Sequence, residues 1–320
     1  MRATRELDVV GEFVDDMRAY GKSKSTVYEY ERVLRDYEEE IDVSVADADR
    51  RDCMAYVETL RGRGLSPSSI ATYASYLHRF YSYADRVDEY PVDSNPMALV
   101  NEHLTESIDK NPRRRELDVE DVRGFLATVH HPRDRCMLLT LFKTGVRAGE
   151  LTNLRLEDVS LDGLDDELGI GGAVSRRDTL LVRSDVPGNK RVRDTRIPVD
   201  DELRRELARW LRVRPERGPH VFVSLSPSGD GGLTSESVSA AMRRYTEPHG
   251  WWDAEADMTE NVTPHYCRHF FTTYMRDASG DDALVKYLRG DVGGDAIDTY
   301  THQWGDRVRE KYERHIYSLT

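Results

Sequence analysis

T-P-H-Y-C-R-H-F, residues 263–270, is the segment on which the reading of this chain turns. Two other segments of the second half stand out with it: T-G-V-R-A-G-E-L at 144–151 and D-T-Y-T-H at 298–302. Within the first, His265 and His269 lie at i and i+4, a spacing that zinc sites also use. The third ligand and the intervening catalytic Glu of such a site are missing, so a metal is not expected. Cys267 lies between the histidines without a convincing base arrangement, so a thiol nucleophile is not expected either. What remains is cationic: Arg268, Arg147 in the second segment, and Lys190 further along. Tyr300 follows Arg268 by 32 residues.

Outward from these segments, the second half reads as helices around a small hairpin. Asp118 can cap a helix through Phe125 and Val129, and Arg135 to Lys143 is a dense apolar helix with C-M-L-L-T-L-F at its centre. Leu180–Arg183 and Thr195–Val199 read as two strands joined by a turn around Pro187-Gly188-Asn189. Residues 160–178, rich in Gly and Asp, read as a loop, and helices return at 201–212 and 235–245. Gly169-Ile-Gly-Gly172 opens no helix after a strand, so it is no dinucleotide signal. At the end, Trp304, Val308, Tyr312 and Ile316 recur every four residues. That amphipathic helix either packs on its own domain or docks on a neighbouring copy.

The first ninety residues read as four short helices. Apolar stripes run through Leu7, Val10, Phe13, Val14 and Met17, with Gly21 as a stop. A second follows through Val27, Tyr30, Val33, Leu34 and Tyr37, with Ser25 as cap. Asp47 can cap a third helix with Met54, Val57 and Leu60 inward, and Ser66-Pro67 opens a fourth through Ile70, Tyr73, Leu77 and Phe80. Lys22, Lys24, Arg32, Arg35, Arg79 and Arg86 lie off these stripes. They read either as solvated helix faces or, as a set, as an anion-facing surface. Pro91, Asn95-Pro96 and Asn111-Pro112 break the pattern, and Lys110-Asn-Pro-Arg113-Arg114-Arg115 closes this linker. The expected division is 1–90, a linker at 91–115, and 116–320.

The net charge of -13 argues against a surface that is basic throughout, but a local basic face would suffice for nucleic acid. The acid is spread along the chain and lysines are few, which fits a protein kept soluble in high salt, from a salt-loving source. Three scattered cysteines, Cys53, Cys136 and Cys267, argue against a disulfide framework and for a reducing, cytoplasmic compartment. The N-terminus has no apolar h-region and no segment approaches 18 apolar residues, so neither a signal peptide nor a membrane span is expected.

The three segments, taken in order and with Lys190 on the hairpin, resemble the signature of the tyrosine recombinase (phage integrase) family, in its Xer-like and archaeal integrase branch. The resemblance covers nearly the whole chain. It implies a mostly α fold with a small antiparallel sheet: a helical, SAM-like core-binding bundle followed by a tyrosine-recombinase catalytic domain. It implies strand exchange through a 3′-phosphotyrosine, with Tyr300 as nucleophile and no cofactor or metal. Arg147 and Arg268 match the catalytic arginines, His265 the histidine of H-x-x-R, and Lys190 the hairpin lysine that protonates the leaving 5′ oxygen. Glu150 matches the acidic residue supporting Arg147. The chemistry is coherent. A phenol, with a free pKa of about 10, needs cationic neighbours to act as phenolate, and two arginines can fork onto the phosphoryl oxygens.

One position departs from the pattern. The family has His or Trp nine residues before the nucleophile, and here that place holds Asp291, in L-R-G-D-V-G-G. A carboxylate cannot donate to phosphate. It either orients His265 or an arginine, or faces away. The expected partners are double-stranded DNA with inverted half-sites, further copies of the chain (a dimer per site, a tetramer in synapsis) and accessory DNA-binding proteins. Lys22, Lys24, Arg79, Arg113, Arg114 and Arg115 are the expected DNA contacts. Two alternatives stay open: a DNA-binding architectural protein derived from a recombinase, and a type IB topoisomerase-like activity.

Overall fold

A computed structural model describes residues 8–87, 90–92, 94–107, 114–174, 177–226, 231–256, 259–291 and 304–320. The chain divides into two compact units, Met1–Pro112 and Arg113–Thr320, each with its own apolar core.

The first unit contains α1 (Val9–Ala19), α2 (Lys24–Ile41), α3 (Arg50–Gly62), α4 (Pro67–Ala84) and the short α5 (Met97–Glu102). Ser66 caps α4 by accepting from Ser69 N–H, with Pro67 in the first turn, as the Ser-Pro pair predicts. Two other caps differ from expectation. Ser23, not Ser25, caps α2, accepting from Thr26 N–H at 3.2 Å, while Ser25 sits inside the first turn. Asp49, not Asp47, caps α3, because Asp52 three residues on returns the bond to Asp49 N–H and completes a reciprocal capping box. In α3 the inward stripe is Cys53, Tyr56, Val57 and Leu60. Met54, expected inward, is 44% exposed, since it lies a third of a turn past Cys53.

The second unit contains α6 (Val119–Thr128), α7 (Pro132–Thr144), α8 (Ala148–Thr152), β1 (Val159–Ser160), α9 (Asp165–Leu168), β2 (Thr179–Val182), β3 (Thr195–Pro198), α10 (Asp201–Val213), α11 (Ser235–Thr246), α12 (Pro264–Ser279), α13 (Asp282–Arg289) and α14 (Trp304–His315). α7 is buried on nearly every face from Cys136 to Thr144 and forms the centre, packed against α10 and α12. The sheet is antiparallel in the order β1-β2-β3, with Leu180 opposite Ile197 on one side and Val159 on the other. The stretch 160–178, expected as loop, thus begins in a third strand and contains α9. Val159 and Leu161 are buried, and the Asp165 carboxylate takes Leu161 N–H and Ser160 Oγ, pinning the chain edge to the sheet.

The C-terminal helix packs on its own domain. Val308, Tyr312 and Leu319 are buried in the core of the second unit. Behind them Lys143, itself buried, holds Asp200 and Glu202 at 2.6 Å each and the Tyr317 carbonyl at 2.5 Å. Glu202 also accepts from Leu319 and Thr320 N–H, so the last residues are anchored by charge as well as by apolar burial. Among the described residues no helix is long and apolar enough to cross a membrane.

Candidate active site

The H-x-x-R segment opens α12. Thr263 caps it and Pro264 fills its first turn, so His265 emerges at the helix N-terminus, where the backbone dipole favours an anion. One turn on, Arg268 is 2% exposed. Its Nη1 donates to the Gly145 carbonyl at 2.7 Å, and its Nη2 to the Arg289 carbonyl at 3.0 Å and to Asp291 Oδ1 at 2.6 Å. Gly145 ends α7 at φ 61°, and a Cβ there would lie 2.5 Å from the Phe271 ring, so both the turn and the close packing call for glycine.

Arg147 precedes α8. Its backbone N–H donates to Glu150 Oε2 at 2.9 Å and its Nη1 to Glu150 Oε1 at 3.0 Å, so one buried carboxylate fixes both ends of the residue. Arg147 Nη2 then reaches Asp291 Oδ1 at 2.9 Å. Glu150 is held from behind by Arg191, whose side chain is fully buried, at 3.0 Å. Arg191 donates in turn to the Leu288 carbonyl at 3.0 Å. Burial lowers the proton affinity of Arg191, and Glu150 opposes that shift.

Asp291 does not face away. α13 ends in a Schellman turn: Gly290 N–H bonds Tyr287 C=O, and Asp291 N–H bonds Lys286 C=O. Gly290 has φ 70°, and a Cβ on it would approach Arg191 Nη1 at 2.8 Å. The turn delivers the Asp291 carboxylate onto three guanidiniums. Oδ1 takes Arg147 and Arg268, and Oδ2 takes Arg289 at 2.7 Å. Burial alone would raise the Asp291 carboxyl, but Arg268, Arg289 and Arg147 outweigh it and the net shift is downward. Arg268 is lowered to about 10, by burial first and then by Arg147.

His265 is exposed, and its ring stands edge to face with that of His269 at 5.0 Å between centroids. Burial of its inner edge, then Arg114, Arg268 and Arg147, lowers its proton affinity, so the ring is neutral near pH 7 and able to accept a proton. His269 is pushed down to about 4, by burial and then by Arg114 and His265. Its folded-state value lies below the ordinary one of about 6.5. The stability it contributes is complete above about pH 6.5 and is lost as pH falls through about 4. The melting temperature is therefore expected to fall less steeply between pH 6.5 and 4 in His269→Gln than in the wild type. Equal slopes would refute that assignment.

Lys190 is exposed at the loop joining β2 and β3. Its carbonyl accepts weakly from Arg147 Nη1 at 3.4 Å, and its ammonium makes no ion pair among the described residues. Asn153 pins this loop through the Pro187 carbonyl and Asn189 Oδ1. Cys267 is fully buried, its thiol pushed up by burial, in agreement with its exclusion as a nucleophile. Tyr300 and Arg113 lie outside the described residues. Arg115 Nε donates to the Glu260 carbonyl at 2.9 Å, and Arg114 acts electrostatically on both histidines.

In the first unit, Lys22, Lys24, Arg79 and Arg86 are exposed and make no ion pair among the described residues. Arg32 and Arg35 are engaged locally with Glu29 and Asp8. Arg191 and Arg289 were not singled out by the sequence reading. Arg289 stands inside the L-R-G-D run that exposed Asp291, and that adjacency was its one local signal.

The profile of the phage integrase family matches residues 115–305, and that of the phage integrase N-terminal SAM-like domain matches residues 10–87. Tyrosine recombinase XerA of Pyrococcus horikoshii is 26% identical over 307 residues, which cover 96% of this chain and 93% of that protein. Tyrosine recombinase XerC of Psychromonas ingrahamii is 26% identical over 254 residues, covering 77% and 73%. Among solved structures, the Tn1549 transposon integrase in complex with a circular intermediate DNA has the same fold, with a TM-score of 0.65 at 16% identity and coverage of 97% and 95%. A lambda integrase dimer bound to a COC′ core site gives 0.63 at 18% identity, covering 88% and 93%.

Proposed function

The chain belongs to the phage integrase family and is a tyrosine recombinase, a site-specific DNA recombinase, and on that premise we propose that it exchanges strands through a 3′-phosphotyrosine at Tyr300. The observation that carries the assignment is convergence. Arg147 and Arg268, from segments far apart in the chain, donate to one carboxylate oxygen and so define a single anion site beside the α12 N-terminus. In the proposed step the scissile phosphate sits on Arg147 and Arg268. The Tyr300 oxygen bonds to phosphorus as its proton passes to neutral His265. The P–O5′ bond breaks and Lys190 gives the departing oxygen a proton. Attack by a 5′ hydroxyl reverses these moves on a new strand, so the bond energy is conserved without a nucleotide cofactor.

The first unit is the core-binding domain in this reading. Lys22, Lys24, Arg79, Arg113, Arg114 and Arg115 contact phosphates in a cytoplasmic complex on inverted half-sites, one dimer per site and a tetramer in synapsis, with accessory DNA-binding proteins as further partners. A second reading has one observation in its favour. Asp291 occupies the arginines that a phosphate would need, as in an architectural DNA-binding descendant.

The test is a nicked duplex carrying the protein's own site, recovered from a randomised pool by rounds of binding. An active recombinase is trapped on it as a covalent adduct, with the linked peptide containing Tyr300. Tight binding with no adduct supports the architectural reading instead.

A further inference from the structure

Beside the two arginines that match the family's motif stands a third, Arg289, the last residue of α13. Its Nη2 lies 2.7 Å from Asp291 Oδ2, and its side chain is 27% exposed. The Arg289 carbonyl accepts from Arg268 Nη2, so the backbone of one arginine locates the side chain of the other. Arg289 also acts electrostatically on His265, His269 and Arg268, which places its guanidinium among the same group of side chains.

Charge gives this arrangement a meaning. In-line attack of a phenol oxygen that has given up its proton on a phosphodiester passes through a pentacovalent species whose two non-bridging oxygens carry about two negative charges. Glu150 and Arg191 offset each other behind the site and Lys190 serves the leaving oxygen, so for the non-bridging oxygens Arg147 and Arg268 supply two positive charges and Asp291 removes one. With Arg289 the balance is three against one, and the site again offers two. Asp291 cannot donate a hydrogen bond, but a guanidinium has five N–H groups; Asp291 meets Arg289 at Nη2, and Arg289 Nε has no partner among the described residues.

We propose that Arg289, held in place by Asp291, is a catalytic phosphate ligand of this enzyme, and that the Arg289–Asp291 pair takes over the position that an imidazole or indole fills in the family. The inference rests on the proposed tyrosine chemistry. Asp291 is then a positioning residue: it aims Arg289 and links it to Arg147 and Arg268.

The experiment measures single-turnover adduct formation on two nicked substrates. One carries the ordinary scissile phosphate, and the other a methylphosphonate at the same position, where a neutral methyl replaces a charged oxygen. Arg289→Ala is expected to slow the reaction roughly a hundredfold on phosphate, the scale of one lost preorganised donor. On methylphosphonate the same variant is expected to stay within about tenfold of wild type, because less charge has to be met. Arg289→Lys keeps the charge without the fork and is expected to fall between. The double variant Arg289→Ala, Asp291→His restores an imidazole donor and is expected to regain most of the lost rate.

Equal losses on both substrates would overturn the proposal, leaving Arg289 as a structural partner of Asp291. So would an Arg289→Ala rate equal to wild type. A wild type that binds the site and forms no adduct on either substrate overturns the underlying tyrosine chemistry, and the inference with it.

Discussion

Arg268→Ala is expected to lower adduct formation on a nicked site by about 10³-fold while leaving most of the DNA affinity intact. Two physical effects add. The variant removes a preorganised cationic donor from a developing phosphoryl charge, a loss of about 10²–10³ in rate. It also orphans the Gly145 and Arg289 carbonyls and one side of Asp291, so the remaining groups lose their registration. Affinity survives because binding is spread over many phosphate contacts, of which this is one. Arg268→Lys is expected to recover little, since an ammonium cannot reach two carbonyls and a carboxylate from one planar head. Gel-shift titration and single-turnover trapping on the same duplex separate the two quantities. An Arg268→Ala protein that cleaves at a tenth of the wild-type rate would remove Arg268 from the reaction.

Glu150→Ala is expected to destabilise the second unit by about 3–5 kcal/mol, the cost of leaving a buried charge without its partner. The Glu150 and Arg191 side chains are both fully buried, and Arg191 keeps only the Leu288 carbonyl once the carboxylate is gone. For a domain of this size that is a fall of about 6–20 °C in melting temperature. Below the melt, strand cleavage is expected to slow roughly a hundredfold, because Arg147 loses both its side-chain and its backbone anchor. Glu150→Gln keeps the shape and one acceptor, so its loss of stability is expected to be smaller. A melting temperature for Glu150→Ala within 2–3 °C of wild type would mean that Glu150 is not the counter-charge of the buried arginine, at about 2–4 °C per kcal/mol.

Much of the helical frame was legible because its signals are local. Ser66-Pro67 and Asp118 cap helices within three residues of themselves, and the stripe from Cys136 to Phe142 states its own burial. Where two capping residues stood close together, the winner was set by bonds that spacing alone does not rank: a reciprocal pair with Asp52 for Asp49 over Asp47, and the Thr26 N–H bond for Ser23 over Ser25. Strand β1 was hidden for a related reason. Two residues carry no alternation, and Val159 and Ser160 become a strand only because β2 is already there to pair with.

By itself the sequence determined the fold class, the family, and the linear order of Arg147, Lys190, His265, Arg268 and Tyr300. Periodicity and motif spacing are properties of neighbours along the chain, so they survive without coordinates. Only the tertiary structure decided what Asp291 does. Its partners Arg147 and Arg268 lie 144 and 23 residues away, and an ion pair depends on distance in space rather than in sequence. The same is true of Arg191 behind Glu150 and of Lys143 beneath the C-terminal residues; Arg289 is two residues from Asp291, but its place beside Arg268 is likewise a product of folding. Each is an unremarked basic residue in the sequence, and each takes its role from a carboxylate that folding places within 3.0 Å.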